Sequence, residues 1–127
     1  MRIAHTALWT RDLDAAANFW KTYFGATVGE PYQSLRRPGF ISRFVHLAGS
    51  GDQIELMTGP WLAADRQDER IGWDHIAVSL GDRASVDALA ERCRTDGCLK
   101  SAPRTTGDGF YEAVITMPDG TPVEITA

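Results

Sequence analysis

The chain contains an internal repeat. The stretch Trp73-Asp74-His75-Ile76-Ala77-Val78-Ser79-Leu80 is apolar and β-branched and runs straight into Gly81-Asp82. Near the amino terminus, Ile3-Ala4-His5-Thr6-Ala7-Leu8-Trp9-Thr10 runs in the same way into Arg11-Asp12. Both read as a strand followed by a helix start. His5 and His75 hold matched places, and so do Asp12 and Asp82. Each half also closes on a glutamate set between apolar residues, in Ile54-Glu55-Leu56 and Val123-Glu124-Ile125. A repeat of this kind restricts the fold to two copies of one supersecondary module.

Taken in order, residues 2–9 alternate as a strand, with Ile3, His5, Ala7 and Trp9 on one face. Asp12 is placed to cap a helix whose apolar positions are Leu13, Ala16, Ala17, Trp20, Tyr23 and Phe24, with Gly25 as its left-handed stop. Strands are expected over 26–33, 40–48 and 53–58, with a Pro-Gly loop at 34–39 and a turn at 49–52. The second half repeats the order. A strand over 73–80 leads to a helical stripe of Val86, Leu89, Ala90 and Cys93 that ends at Asp96-Gly97. A short strand at 98–101, a loop at 103–109 and strands at 110–117 and 122–126 follow, the last two joined by Pro118-Asp119-Gly120. The expectation is an α+β fold of two βαβββ modules, repeats 1–58 and 73–127, within one domain spanning 1–127. The connection 59–72, with its charged run 65–70, reads as a solvated linker. Trp61 is its exception, an aromatic that needs something to pack on.

At 127 residues and 43 % hydrophobic residues the chain can bury a real core. A net charge of −4 with scattered Lys and Arg speaks against a nucleic-acid partner. No apolar run approaches the roughly 20 residues of a membrane span. The start of the chain enters a strand pattern directly, which leaves no room for a signal peptide. Cys93 and Cys98 lack the CxxC spacing of zinc ribbons. The expected setting is cytoplasmic and reducing.

Two histidines and two glutamates at matched repeat positions form a metal-site hypothesis. Strand side chains alternate between faces, so one ligand per strand converges only where the sheet curves into a cup. A buried carboxylate flanked by apolar residues needs a partner or a metal. Imidazole with carboxylate and no thiolate suits Zn²⁺, Ni²⁺, Co²⁺, Mn²⁺ or Fe²⁺ and disfavours a closed structural zinc site. The metal ligands are then His5, Glu55, His75 and Glu124, with room left for a bidentate oxygen substrate.

On these residues the chain resembles the vicinal oxygen chelate superfamily, which includes glyoxalase I, methylmalonyl-CoA epimerase, extradiol dioxygenases, fosfomycin-resistance and bleomycin-resistance proteins. The resemblance rests on His5-Thr6-Ala7-Leu8 with Asp12-Leu13, Gln53-Ile54-Glu55-Leu56, Trp73-Asp74-His75-Ile76-Ala77-Val78 and residues 117–125 with their Pro-Asp-Gly turn. It implies two βαβββ modules forming a curved, mixed-sheet metal-binding cup, commonly in a homodimer. The set His5, Glu55, His75 and Glu124 matches the four-ligand pattern of bacterial-type glyoxalase I. Dioxygenases and fosfomycin-resistance enzymes would leave Glu55 surplus. Glutathione-using glyoxalases carry an arginine four residues after the first ligand and tend to carry an asparagine four after the second. Here those places are Trp9 and Gly59, and Arg11, Arg43 and Arg104 are the arginines available as replacements.

The expected activity is a metal-dependent, glyoxalase I-like lyase or isomerase acting on a small α-oxo or α-hydroxy carbonyl compound. Glu124, by resemblance, serves as general base, with Glu55 as the symmetrical alternative. Trp9, His46, Trp61 and Tyr111 are candidates for the substrate wall. Two rivals stand beside this reading: a non-catalytic drug-binding module, and an Fe(II) extradiol-type dioxygenase using His5, His75 and Glu124.

Overall fold

The computed structural model describes residues 3–62, 72–107 and 109–127. It contains two compact units, Met1–Asp65 and Arg66–Ala127, each with one helix and one mixed sheet. The charged run 65–70, and most of the expected linker with it, lies outside the described residues.

In the first unit the order is β1 (Thr6–Trp9), α1 (Leu13–Phe24), β2 (Thr27–Val28), β3 (Tyr32–Gln33), β4 (Ile41–His46) and β5 (Gln53–Thr58). Asp12 caps α1, its carboxylate accepting from the backbone N–H groups of Asp14 and Ala15 at 3.0 and 2.9 Å. Gly25 ends it in the left-handed region, φ +60°, where a glycine carries no Cβ penalty. Ala16, Ala17, Phe19 and Trp20 of α1 are buried, as are Val45, Ile54 and Leu56 of the sheet. β5 pairs in parallel with β1 and antiparallel with β4, and β2 and β3 both pair with β4.

The strand expected over 26–33 is therefore split. Val28 pairs with Val45 and Tyr32 with Ser42, so one extra residue is taken up between them. Pro31 falls in that gap, where its missing N–H interrupts the ladder.

The second unit runs β6 (Ile76–Ser79), α2 (Arg83–Thr95), β7 (Leu99–Thr105), β8 (Tyr111–Thr116) and β9 (Pro122–Thr126), with strand order β6-β9-β8-β7. Asp82 caps α2 by accepting from the Ser85 N–H at 2.8 Å. Val86, Ala90 and Cys93 are buried with Ala113, Ile115, Val123 and Ile125. β7 extends to Thr105, through residues expected to form a loop. It tolerates Pro103 because it is an edge strand and because its pairing with β8 shifts register between Ser101 and Arg104.

Two hairpins set where the glutamates fall. In β8–β9 the Gly120 N–H donates to the Met117 carbonyl at 2.9 Å, with Gly120 at φ +82°, and the Thr121 N–H donates to the Asp119 carboxylate at 3.1 Å. That closure fixes Glu124 opposite Val114. In β4–β5 the Leu47 N–H donates to the Asp52 carbonyl at 3.1 Å, and Glu55 comes to lie opposite Phe44. No helix of the described residues is long and apolar enough to cross a membrane.

Candidate metal centre

Neither histidine is inside a strand. His5 stands one residue before β1 and His75 one residue before β6, which corrects the expectation of strands over 2–9 and 73–80. The parallel ladders begin only at Thr6↔Ile54 and Ile76↔Val123. The consequence is the same in both units. Ala7 pairs with Glu55 and Ala77 with Glu124, so each histidine, two residues before that alanine, is a diagonal neighbour of its glutamate on one face of the sheet.

The side chains meet accordingly. His5 Nε2 lies 3.7 Å from Glu55 Oε2, and His75 Nε2 lies 3.4 Å from Glu124 Oε2. The imidazoles are 42 % and 40 % exposed and the carboxylates 19 % and 16 %, so the rings are the more open member of each pair. The structure thus brings the four predicted ligands together as two pairs, one in each unit. Among the described residues no group of three or more His, Cys, Asp or Glu side chains forms a ready-made metal cluster.

The pairs differ in their surroundings. His75 Nδ1 is 2.7 Å from Asp74 Oδ2, a contact that fixes the ring and directs Nε2 toward Glu124. His5 instead packs edge-on against Phe44, ring centroids 5.4 Å apart. Glu112, nearly buried, shares the Glu124 face on the neighbouring strand and accepts from Arg104 at 2.9 Å. Burial, and then the negative charge of Glu112, push the Glu124 carboxyl above its ordinary range, while His75 and Arg104 pull the other way. In the first unit the place of Glu112 is taken by Ser42, two residues before Phe44 on β4.

The wall candidates separate. Trp9 shares the His5 and Glu55 face, meeting Phe40 and Trp61 edge-on at 6.0 and 6.3 Å. His46 pairs with Gln53, two residues from Glu55, and lies exposed on that same face. Tyr111 is not on the Glu124 face. Its hydroxyl donates to Asp87 of α2 at 2.6 Å and its ring lies under Arg83, so it packs on the helix side of the sheet. Strand alternation puts Tyr111 and Glu112 on opposite faces.

Two of the arginines offered as replacements are engaged. Arg43 donates to the Gly29 carbonyl and to Asp14, each at 3.0 Å, and Arg104 is held by Glu112. Asp74, Glu112 and Phe44 were not singled out from sequence. An acid beside a candidate ligand, and a lone acid inside Tyr111-Glu112-Ala113-Val114-Ile115, were the available signals. Phe44 is recognisable only from the register.

The model of the Glyoxalase/Bleomycin resistance protein/Dioxygenase superfamily matches residues 2–125. An uncharacterized protein of Pseudomonas aeruginosa, PA2024, is 36 % identical over 109 residues, covering 80 % of this chain and 70 % of that protein. The fold is similar to a glyoxylase/bleomycin resistance protein/dioxygenase domain from Frankia sp. EAN1pec, with TM-score 0.85 and 19 % identity over 99 % of this chain and 96 % of that one. It is also similar to the trypanothione-dependent glyoxalase I of Leishmania major, with TM-score 0.75 and 22 % identity over 99 % and 86 %.

Proposed function

The chain belongs to the glyoxalase/bleomycin resistance protein/dioxygenase superfamily, and on that premise we propose that it is a metal-dependent, glyoxalase I-like lyase or isomerase of a small α-oxo or α-hydroxy carbonyl compound. The observation that carries the reading is the repeated pair: one imidazole just before a strand and one carboxylate on its parallel neighbour, in the same diagonal register in both units. The donor set fits a divalent ion of the Zn²⁺, Ni²⁺, Co²⁺, Mn²⁺ or Fe²⁺ group. His5, Glu55, His75 and Glu124 would hold it, within one chain or between the copies of a homodimer. A bound ion of this kind supplies Lewis acidity toward the two vicinal oxygens of the substrate.

The residues divide the remaining work. Glu124 is the general base. Its shielded carboxylate, beside Glu112, is raised above its ordinary range in the metal-free chain, which favours a basic role for it when it is released from the ion. Asp74 is a positioning residue, because it holds the imidazole of His75 through Nδ1. Glu55 faces Phe44 and Ser42 rather than a second acid, so of the two glutamates Glu124 is assigned as the base. The place of the glutathione-binding arginine is taken by Trp9, whose indole offers no charge, and we therefore assign no glutathione dependence.

The test is elemental analysis of the purified protein beside His75→Ala, with deuterium uptake from solvent at the α-carbon of a hydroxycarbonyl substrate. Stoichiometric metal in the parent, its loss in the variant, and Glu124-dependent exchange are expected. A protein that holds no metal while binding a cationic drug would transfer the site to the drug-binding reading. Iron with oxygen-dependent turnover would transfer it to the dioxygenase reading.

A further inference from the structure

The first unit carries a second group of functional side chains. Arg37, in the loop between β3 and β4, places its guanidinium carbon 4.0 Å above the Trp61 ring and 5.5 and 5.8 Å from the rings of Trp9 and Phe40. No carboxylate partner is found for it among the described residues, whereas Arg43, Arg94 and Arg104 each meet one. The guanidinium is the planar cation best suited to stacking, and stacking uses its face while leaving its N–H edge free.

The corner is built rather than incidental. The Arg37 N–H donates to Ser34 Oγ at 3.1 Å, and the Arg37 carbonyl accepts from Phe40 at 3.0 Å, so the loop backbone is tied on both sides. Trp61 lies so close over Gly59 that a Cβ there would come within 2.4 Å of the indole. The next turn of chain is equally tight, since a Cβ on Gly39 would meet the Pro60 ring at 2.8 Å. Trp9 and Trp61 nevertheless remain 40 % and 41 % exposed, which leaves flat aromatic surface open beside the cation.

Position gives the corner its meaning. Trp9 follows His5 and Ala7 on one face of the sheet, the face of Glu55. Four residues of strand span about 13 Å. A molecule held by its vicinal oxygens at His5 and Glu55 would therefore run along this face toward Trp9 and Arg37. We propose that Arg37, braced by Trp9, Phe40 and Trp61, receives a carboxylate at the far end of the substrate, so that the substrate is an α-oxygenated carbonyl compound with a flat body and a distal negative charge. The direction of the molecule, though not the existence of an anion site, rests on the metal-centred reading above.

The experiment separates the two claims. Mandelate supplies vicinal oxygens, and its ring derivatives carrying a para carboxylate, directly or through one or two methylenes, add the distal charge. Visible absorption of the cobalt-loaded protein reads the oxygen end, and tryptophan fluorescence reads the Arg37 end. At least one charged probe is expected to bind about tenfold to a hundredfold tighter than mandelate, as a charge-assisted bidentate contact supplies. Arg37→Gln should abolish that preference without changing mandelate's effect on the cobalt spectrum, and Arg37→Lys, with charge but no planar fork, should fall between. Equal affinity for all probes, or a preference that survives Arg37→Gln, overturns the proposal even where cobalt responds. Arg37-dependent fluorescence without any cobalt binding would keep the anion site and remove the metal-centred reading. Failure of both signals removes both.

Discussion

Glu112 and Glu124 are diagonal neighbours on adjacent strands and share one face of the second sheet, with the Arg104 guanidinium 2.9 Å from Glu112 on its far side. One arginine for two shielded carboxylates leaves negative charge uncompensated, and the Glu124 carboxyl is raised above its ordinary range by burial and by Glu112. A carboxyl raised in the fold binds its proton more tightly there than in the unfolded chain. Its ionised form therefore costs stability above the folded pKa, and the cost fades as pH falls through it.

Glu124→Gln is accordingly expected to stabilise the metal-free protein at pH 7–8. A higher Tm in the variant is the expected direction, since it removes the ionised form that the fold disfavours. The gain should vanish at acid pH, where the parent is protonated too. Melting curves of both proteins in chelator across that range check it, and an unchanged or lower Tm at neutral pH contradicts the account.

Asp74 holds only one of the two histidines. Asp74→Asn keeps the side-chain shape but removes the charge that orients His75 through Nδ1. Loss of such an outer partner typically lowers metal affinity about tenfold to a hundredfold. Competition against a chelating dye measures it. Affinity equal to the parent's would show that the Asp74 contact does not support the proposed centre.

Gly59→Ala tests the stacking of Trp61 without touching a charged group. The added methyl cannot coexist with the indole as placed, at 2.4 Å, but the indole is a half-exposed side chain that can swing away. Stability should therefore change by no more than about 1 kcal/mol. The emission of Trp61 should shift to the red as its ring leaves the Arg37 stack, with Trp61→Phe identifying the contribution. An unchanged spectrum would mean that the ring is not seated there.

The two cysteines should react at very different rates. Cys93 is fully buried on α2, and its thiol is pushed up to about 12, chiefly by burial and then by its contact with Cys98. Thiolate is the reactive form, so Cys93 is inert at neutral pH. A chromogenic disulfide should titrate Cys98 alone in the folded protein and both thiols in denaturant. Cys98→Ser should abolish the folded-state reaction, and two rapidly titrating thiols would refute the placement of Cys93.

Much of this was written locally in the chain. Asp12 and Asp82 sit where a helix start needs an acceptor for free N–H groups, and Gly25 and Gly120 sit where the backbone needs a positive φ. The strands over 53–58 and 122–126 follow from alternation, and they carry Glu55 and Glu124. These are short-range constraints, and a side chain satisfies them within a few residues of itself. Boundaries that depend on a neighbouring strand were less legible. Pro103 reads as a loop residue until β7 is known to be an edge, and 26–33 reads as one strand until its partner shows the extra residue near Pro31.

The sequence alone determined the repeat, the helix caps, the alternating strands and the matched histidines and glutamates, because spacing and residue type decide those through local hydrogen bonding and the period of the backbone. Tertiary structure alone decided that His75 leans on Asp74, that Glu112 crowds Glu124, that Tyr111 turns to the helix, and that Arg37 lies on Trp61. Side-chain contacts of this kind depend on strand register, face and rotamer. Apart from the Asp74–His75 pair, they join residues distant along the chain that no local rule relates.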